Sequence, residues 1–292
     1  MRLGLIILFG FLGGLIGHTQ EAPAGPTPGE TPAKPATYTQ ARVDQPFIAM
    51  TFDDGPSAEN TPRLLEMLKQ RNIKATFFLI GQNAASNPEI VRRILADGHE
   101  IGNHSWTHPQ LSKLSDEKVT AEITKTQEAI KSASGFTPTL LRPPYGAITP
   151  RQREWIENQF GLNVILWSVD PFDWKRPGAS VITQRILSQV RPGSIILSHD
   201  IHKQTVDAMP ATLDGLIRKG YKFLTVTQLI AMNKPKPSPS PSPAAKSAPD
   251  HANSPKSAKT GQETGASDVH AQGAEQVGGT PSPAPASAVK VQ

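Results

Sequence analysis

Two adjacent carboxylates, Asp53 and Asp54, follow an apolar segment and come directly before a Gly-Pro pair. Neighbouring anions repel each other unless a cation accepts them. A metal ion bound to one carboxylate would leave the other free to act as a general base. An Asp-Gly-Pro sequence is also ordinary turn chemistry, so this pattern alone leaves both interpretations open.

Two histidines, His104 and His108, form the second candidate group. Residues four apart lie on one face of a helical turn, where two imidazoles can share one metal ion. The chain contains no cysteine, so any metal must be held by His, Asp or Glu. The spacing favours a metal site, although a His-x-x-x-His pattern also arises without one. His99 lies outside this spacing and is interpreted as structural or as support for a ligand.

Three later segments also carry chemically useful side chains. Arg142 begins an Arg-Pro-Pro-Tyr-Gly sequence, in which a guanidinium could pair with a carboxylate and a stiff backbone could direct an N–H group. Asp173 and Trp174 combine a carboxylate with an aromatic ring, a combination that suits sugar binding. His199 directly follows an apolar run, where it could act as a general acid. A rigid turn, a packed strand end and a structural histidine are the ordinary alternatives.

These side chains follow apolar segments that alternate with amphipathic ones. Strands are predicted at 46–52, 75–80, 163–169, 194–198 and 222–226, and helices at 61–70, 89–96, 116–132 and from about 180 and 205. Such alternation predicts βα units around a parallel sheet or barrel, and the carboxyl ends of parallel strands meet at one edge. The domain is shorter than the ~250 residues typical of an eight-unit barrel.

Composition divides the chain into four parts. Residues 1–22 hold one arginine and an apolar run, which predicts a signal peptide or an uncleaved N-terminal membrane anchor, with a buried helix as the alternative. Residues 23–37 form a Pro-rich linker, and 38–233 form a single catalytic domain. Residues 234–292 are rich in Pro, Ser and Ala, which predicts a disordered tail that contacts the cell wall or acts as a spacer. An exported protein is expected: secreted, periplasmic or associated with the cell envelope.

The charge pattern argues against nucleic acid as a partner. The formal net charge is +5, and the charges are mixed along the chain, without a basic stripe interleaved with aromatic residues. No additional association element is evident in the sequence, so a monomer is expected.

The five segments, in order, resemble the motifs of the polysaccharide deacetylase family (the NodB homology domain, carbohydrate esterase family 4). They read Thr-Phe-Asp-Asp-Gly-Pro-Ser, His-Ser-x-x-His, Arg-Pro-Pro-Tyr-Gly, Asp-x-x-Asp-Trp and Leu-x-His-Asp, at 51–57, 104–108, 142–146, 170–174 and 197–200. The resemblance covers about 38–232. It implies an α/β fold, a distorted and incomplete (β/α) barrel.

The resemblance also implies a role for each matching residue. Asp54, His104 and His108 would be the metal ligands, with Zn²⁺ as the usual metal. Asp53 would be the catalytic base, held by Arg142, and His199 the general acid, tuned by Asp173. The backbone N–H of Tyr145 would bind the oxyanion, and Trp174 and Leu197 would be walls of the acetyl pocket, Tyr145 also contacting substrate.

The implied reaction removes N-acetyl groups from an N-acetylglucosamine-type polysaccharide and releases acetate. The family's substrates include peptidoglycan, chitin, chitooligosaccharides and O-acetylated xylan, and the expected export and wall-spacer-like tail favour peptidoglycan. A glycan-binding module without turnover is one alternative. Two histidines and one carboxylate are also the ligand set of non-haem iron oxygenases, but Asp53, Arg142 and His199 would then have no role.

Overall fold

The computed structural model describes residues 37–234, and they form eight strands and eight helices around one parallel sheet. The strands are β1 Thr37–Tyr38, β2 Phe47–Asp53, β3 Thr76–Leu79, β4 Glu100–Asn103, β5 Leu140–Leu141, β6 Asn163–Ile165, β7 Ile195–Ile196 and β8 Lys222–Phe223. The helices are α1 Asn60–Gln70, α2 Gly81–Ser86, α3 Pro88–Ala96, α4 Asp116–Ser134, α5 Pro150–Phe160, α6 Ala179–Gln189, α7 Lys203–Arg218 and α8 Val226–Ala231. Short 3-10 segments occupy Leu111–Lys113, Pro144–Gly146 and Asp173–Lys175.

Apart from Thr37 and Lys234, the predicted leader or anchor (1–22), linker (23–37) and tail (234–292) lie outside the described residues and stay predictions. Within 37–234, no helix combines the length and apolar character that crossing a bilayer requires.

The sheet has the strand order β1-β6-β5-β4-β3-β2-β7, and β8 also pairs with β2. All pairings between these strands are parallel. Single bridges, from Gln40 to Ser194 and from Val169 to Ile196, bring the two edges of the curled sheet together. Within the described residues no strand ladder joins β1 or β6 to β7, so the barrel is incomplete. The predicted α/β fold and incomplete barrel are confirmed.

Alternation along β2 determines which side chains face the site. Ile48, Met50 and Phe52 belong to the large core cluster that packs against the helices. Ala49 belongs to a separate cluster with Phe78, inside the curled sheet. Because successive strand residues face opposite sides, Thr51 and Asp53 share the inner face with Ala49.

The partners of β2 then bring the base and acid candidates together. The register aligns Asp53 with Phe78 of β3, and a parallel bridge aligns the same aspartate with His199 beyond β7. Asp53 therefore lies at the carboxyl end of the sheet, between β3 on one side and the segment that follows β7 on the other.

Several elements differ from the sequence-based prediction. Strands β1, β4 and β5 and helices α2, α5 and α8 were not predicted, and β6, β7 and β8 are shorter than expected. The strand β4 reads Glu-Ile-Gly-Asn, and glycine and asparagine are disfavoured in strands. Glycine is nevertheless needed at position 102, because an added Cβ would lie 2.4 Å from the Phe78 ring.

Two of the unpredicted helices have a recognisable start signal in the sequence. Thr149 and Gln152 form a capping box before α5, and Thr225 and Gln228 form another before α8. The predicted strand at 222–226 therefore ends early, because its last residue, Val226, is the first residue of α8.

Candidate active site

The polar residues singled out in the sequence meet at the carboxyl edge of the sheet. Asp53 ends β2, His104 follows β4 directly, and Arg142 follows β5 directly. His199 lies three residues after β7. Parallel strands end at a common edge, so segments up to 146 residues apart in sequence, from 53 to 199, contribute to one site.

Asp54, His104 and His108 form a cluster that could hold a metal ion. One ligand atom from each lies within 4.8 Å of the others. Asp54 Oδ1 is 3.4 Å from the Nε2 atom of His104 and 3.4 Å from that of His108. The same Oδ1 is buried and has no hydrogen-bond donor. A buried carboxylate oxygen without a donor, facing two imidazole nitrogens, fits a site for a divalent cation.

The hydrogen bonds of the cluster set the correct form of each ligand. His104 Nδ1 lies 2.6 Å from the carbonyl oxygen of Arg142, which only accepts, so Nδ1 carries the proton and Nε2 presents a lone pair toward Asp54. Burial by itself raises the pKa of Asp54, but its contact with His104 and the nearby His199 and His108 lower that pKa to about 2. Burial lowers the pKa of His108. Both shifts favour the metal-binding forms, an ionised carboxylate and a neutral imidazole.

The two histidines do not lie on a helical turn, so this detail of the prediction was wrong. Residues 104–110 form an irregular loop, in which Ser105 and His108 have positive φ angles of 63°. Glu122 of α4 holds the loop by accepting the N–H groups of Trp106 and Thr107, at 2.7 and 2.8 Å. The shared metal site therefore arises from a loop tied to a helix rather than from helical spacing.

Asp53 is buried and paired with a buried arginine. Its Oδ1 accepts a hydrogen bond of 2.7 Å from Arg142 Nη1, while its Oδ2 lies 3.7 Å from His104 Nε2. One carboxylate oxygen is thus anchored, and the other faces the metal cluster. Charge-assisted hydrogen bonds of this kind fix the orientation of the carboxylate.

Arg142 has no exposed surface, and each of its three guanidinium nitrogens donates at least one hydrogen bond. Nη1 also donates to Thr51 Oγ1 at 2.7 Å, and Nη2 donates to the Leu166 carbonyl at 3.0 Å. Its guanidinium carbon lies 4.1 Å from the centroid of the Phe78 ring, within the range of a cation–π contact. This arginine therefore links β2, β3 and the segment after β6 beneath the site.

His199 is oriented by Asp173, which is fully buried. The Asp173 Oδ1 atom lies 2.8 Å from His199 Nδ1, and Oδ2 accepts from the backbone N–H of His199 and from Thr205 Oγ1, each at 2.8 Å. Burial alone lowers the pKa of His199, but the hydrogen bond and charge of Asp173, with Asp53 and Asp54, raise that pKa to about 9. The imidazole is therefore protonated at neutral pH.

A cavity of about 410 Å³ opens above these groups. Its lining includes eight of the ten predicted site residues: Asp53, Asp54, His104, His108, Tyr145, Trp174, Leu197 and His199. The other two, Arg142 and Asp173, lie behind the wall and bond to Asp53 and His199. Trp167 and Asp170 complete the lining.

Tyr145 presents both its backbone and its ring to the cavity. Its φ angle is 61°, the ring is 68% exposed, and the ring centroid is 4.7 Å from that of His108. The neighbouring N–H groups of Gly146 and Ala147 donate to the carbonyls of Pro143 and Pro144. Within the described part of the chain, the Tyr145 N–H donates no hydrogen bond, so it is available to a ligand.

The structure also shows supporting residues that the sequence did not reveal. Asp200 is fully buried beside Gly55, where a Cβ would lie 2.5 Å from Asp200 Oδ1, and it accepts a hydrogen bond from Thr61. Burial raises the pKa of Asp200 to about 7, more than the Thr61 hydrogen bond lowers it. Glu122 and Thr205 lie on helices outside the five motifs, and nothing in their local sequence marks them.

Comparisons with known proteins agree with this geometry. A family model described as polysaccharide deacetylase matches residues 40–165. The chain is 44% identical over 204 residues to the peptidoglycan-N-acetylglucosamine deacetylase PgdA of Listeria monocytogenes serotype 1/2a (strain 10403S), covering 70% of this chain and 42% of that protein. It is 38% identical over 197 residues to a chitooligosaccharide deacetylase of Bradyrhizobium sp. (strain ANU 289), covering 62% of this chain and 90% of that protein.

A solved structure gives the same result. The Bc1960 peptidoglycan N-acetylglucosamine deacetylase, crystallised with 4-naphthalen-1-yl-N-oxidanyl-benzamide, matches with a TM-score of 0.64 and 38% identity, covering 69% of this chain and 95% of that one. The match spans less than half the length of the Listeria protein, but almost the whole of the other two. At these identities and coverages, the chain belongs to the polysaccharide deacetylase family.

Proposed function

We propose that this protein is a metal-dependent hydrolase that removes N-acetyl groups from an N-acetylglucosamine-type polysaccharide and releases acetate. The observation that carries the proposal is the arrangement of one cavity. A buried carboxylate, Asp53, and a protonated imidazole, His199, line it together with the Asp54, His104 and His108 cluster. A base and an acid beside a candidate metal site suit hydrolysis of an amide bond.

Asp54, His104 and His108 are the proposed metal ligands, and Zn²⁺ is the proposed metal. Two nitrogen ligands and one carboxylate form a three-ligand zinc site of the catalytic kind, which leaves a position for water or substrate. The ion, when bound, supplies Lewis acidity to the acetamide carbonyl and lowers the pKa of water. The hydrogen bond from His104 to the Arg142 carbonyl would keep the ligand in the correct tautomer.

The other residues supply proton transfer and orientation. Asp53, anchored by Arg142 through one oxygen, accepts a proton from the attacking water at the other. The free N–H of Tyr145 donates to the oxygen that becomes negative as the water adds, and one such donor is typically worth about 3 kcal/mol. His199, held by Asp173 through Nδ1, uses Nε2 to protonate the leaving nitrogen. Leu197 and Trp174 enclose the acetyl group.

Peptidoglycan is the proposed polymer, and chitooligosaccharide is the second candidate. Two of the three relatives are named for peptidoglycan N-acetylglucosamine and one for chitooligosaccharide. An extracytoplasmic location, secreted or at the cell envelope, accompanies this proposal. It rests on the leader-like or anchor-like sequence of 1–22 and on the wall polymer that those relatives act on. We propose that the protein acts as a monomer.

Removal of the metal tests the proposal. Acetate release from peptidoglycan and from chitooligosaccharides is measured with purified protein before stripping with a chelator, after stripping, and after Zn²⁺ is restored. We expect stripping to reduce release by about a thousandfold, because metal stabilisation of developing charge is worth several kcal/mol. Restoring zinc should restore acetate release, and kcat/KM should be higher for peptidoglycan than for chitooligosaccharides.

Two outcomes would contradict the proposal. Full acetate release by protein shown to be free of metal would exclude the metal role. No release from either polymer by a folded, zinc-loaded protein would instead favour an O-acetyl ester substrate or a glycan-binding module.

Asp173→Asn should shift the pH dependence of the reaction. The raised pKa of His199 keeps this acid protonated up to about pH 9, so the activity of the wild type should fall only above that value. Removing the charge of Asp173 moves the basic limb down toward 6.5, the ordinary imidazole value. At pH 8 the variant should lose about ten- to a hundredfold in kcat.

The measurement is a profile of kcat against pH from 5 to 10 for both proteins. Asp116→Asn, which changes an exposed aspartate paired with Arg151, is the matched control and should reproduce the wild-type profile. A basic limb that stays at its wild-type position in Asp173→Asn would show that Asp173 does not tune the acid.

A further inference from the structure

A second cavity, of about 320 Å³, lies beside the one that holds the candidate catalytic groups. It is lined by Arg176, Ile201, His202, Lys203 and Gln204, none of which lines the first cavity or has a part in the proposed mechanism.

The two cavities are neighbours along the surface. Trp174, a wall of the first, precedes Arg176 of the second by two residues on the same short segment. On the other side, the ring centroids of His199 and His202 are 6.1 Å apart, and the His202 N–H donates to the His199 carbonyl at 3.3 Å. A polymer with one sugar unit in the first cavity could therefore place an adjoining unit in the second.

The second cavity is positive in character. Among residues 37–234, the Arg176 guanidinium forms no ion pair and donates no side-chain hydrogen bond, and no acidic side chain is among the lining residues. Lys203 pairs with Asp207, but Asp207 also pairs with Arg63, so its single negative charge is shared between two cations. Helix α7 begins at Lys203, and the positive end of its dipole adds to this potential.

We propose that this second cavity is a subsite for a carboxylate-bearing sugar unit next to the unit that is deacetylated, with Arg176 as the main contact. A guanidinium matches the planar geometry of a carboxylate, and an unpaired one has no internal ion pair to break. Ile201, 37% exposed, offers an apolar surface beside it.

This inference rests on the proposed function and refines its substrate class. Peptidoglycan strands whose peptide stems have been removed carry a free lactyl carboxylate on alternate sugars, whereas the same carboxyl is an amide in strands with stems, and chitin is neutral. A subsite for a carboxylate would give the protein a preference for the acidic polymer. The preference should weaken as salt rises, because exposed charges are screened.

The test compares one glycan in two forms, peptidoglycan strands without peptide stems and the same strands with their carboxylates converted to methyl amides. Binding is measured by calorimetry in the zinc-loaded Asp53→Asn background, so that no turnover occurs. Acetate release is measured separately in the otherwise unaltered protein. Both measurements are repeated with Arg176→Gln and with Arg218→Gln. Arg218 is the matched control, because it ends α7, far from the second cavity at the start of that helix.

We expect Arg176→Gln to raise Kd and KM for the carboxylate form by about tenfold, with kcat changed less than twofold, as for one partly exposed charged hydrogen bond. The amide form should show no change, and Arg218→Gln should match the unaltered protein on both. Equal effects of Arg176→Gln on the two forms, or none on either, would overturn the subsite. If no acetate were released but binding still distinguished the carboxylate form from the amide form, only the proposed function would be contradicted.

Discussion

Asp53→Asn should give a folded, metal-binding protein whose kcat for acetate release is lower by about a thousandfold, since a positioned general base contributes roughly 10²–10⁴-fold. The substitution keeps the shape of the side chain, and its amide oxygen can still accept the hydrogen bond that Arg142 donates at 2.7 Å. It removes the ability to take a proton and also the negative charge opposite Arg142, so the protein should stay folded but lose some stability. The measurement is single-substrate kinetics of acetate release, with zinc binding followed by calorimetry.

The neighbouring aspartate is the matched control. Asp54→Asn makes the same chemical change one residue away, on the side chain that lies 3.4 Å from both His104 Nε2 and His108 Nε2. It should weaken zinc binding strongly, whereas Asp53→Asn should not. If Asp53→Asn kept kcat within about threefold of the wild type, far below the usual contribution of a base, the assignment of the base would be wrong.

Arg142→Met should lower the free energy of unfolding by about 3–5 kcal/mol, the usual cost of removing one partner from a buried ion pair. Arg142 is fully buried and Asp53 is 2% exposed, so the variant leaves a carboxylate in the interior without its cation. The Leu166 carbonyl and the Thr51 hydroxyl would also lose their donor. Urea unfolding gives the free energy, and kcat should fall with it, because the base is no longer oriented.

A double variant separates the ion pair from general loss of packing. Asp53→Asn combined with Arg142→Met removes both charges, so it should recover part of the stability that Arg142→Met loses, since contacting residues are not additive. Arg151→Met, which breaks the exposed pair with Asp116, should leave the unfolding curve unchanged. A fully additive double variant would show that the pair does not act as a unit.

Much of this site could be predicted because its chemistry is local in sequence. Asp53 and Asp54 are adjacent, and an apolar strand before them places one on the inner face of the sheet. The alternation of β2 explains why Asp53, like Thr51, meets Arg142, while Ile48 and Met50 pack against the helices. Period-two patterning is a property of any strand, so it can be read without a structure.

Other parts could not be predicted, for different reasons. The helical turn expected for His104 and His108 is a loop, since spacing of four residues suits a helix but does not require one. Strand β4 has poor strand propensity, and it forms because its neighbours β3 and β5 supply hydrogen bonds and Gly102 makes room for Phe78. The helix α5 was missed although its capping box was readable.

The sequence by itself determined the types of catalytic and ligand groups, the βα alternation that brings strand ends together, and membership of a family whose motifs appear in order. Only the tertiary structure decided how these groups pair. The contacts of Glu122 with the histidine loop, of Thr205 with Asp173, and of Thr61 with Asp200 join distant segments. Local propensity and periodicity carry no information about such pairs, because the packing of helices against the sheet sets which distant side chains meet.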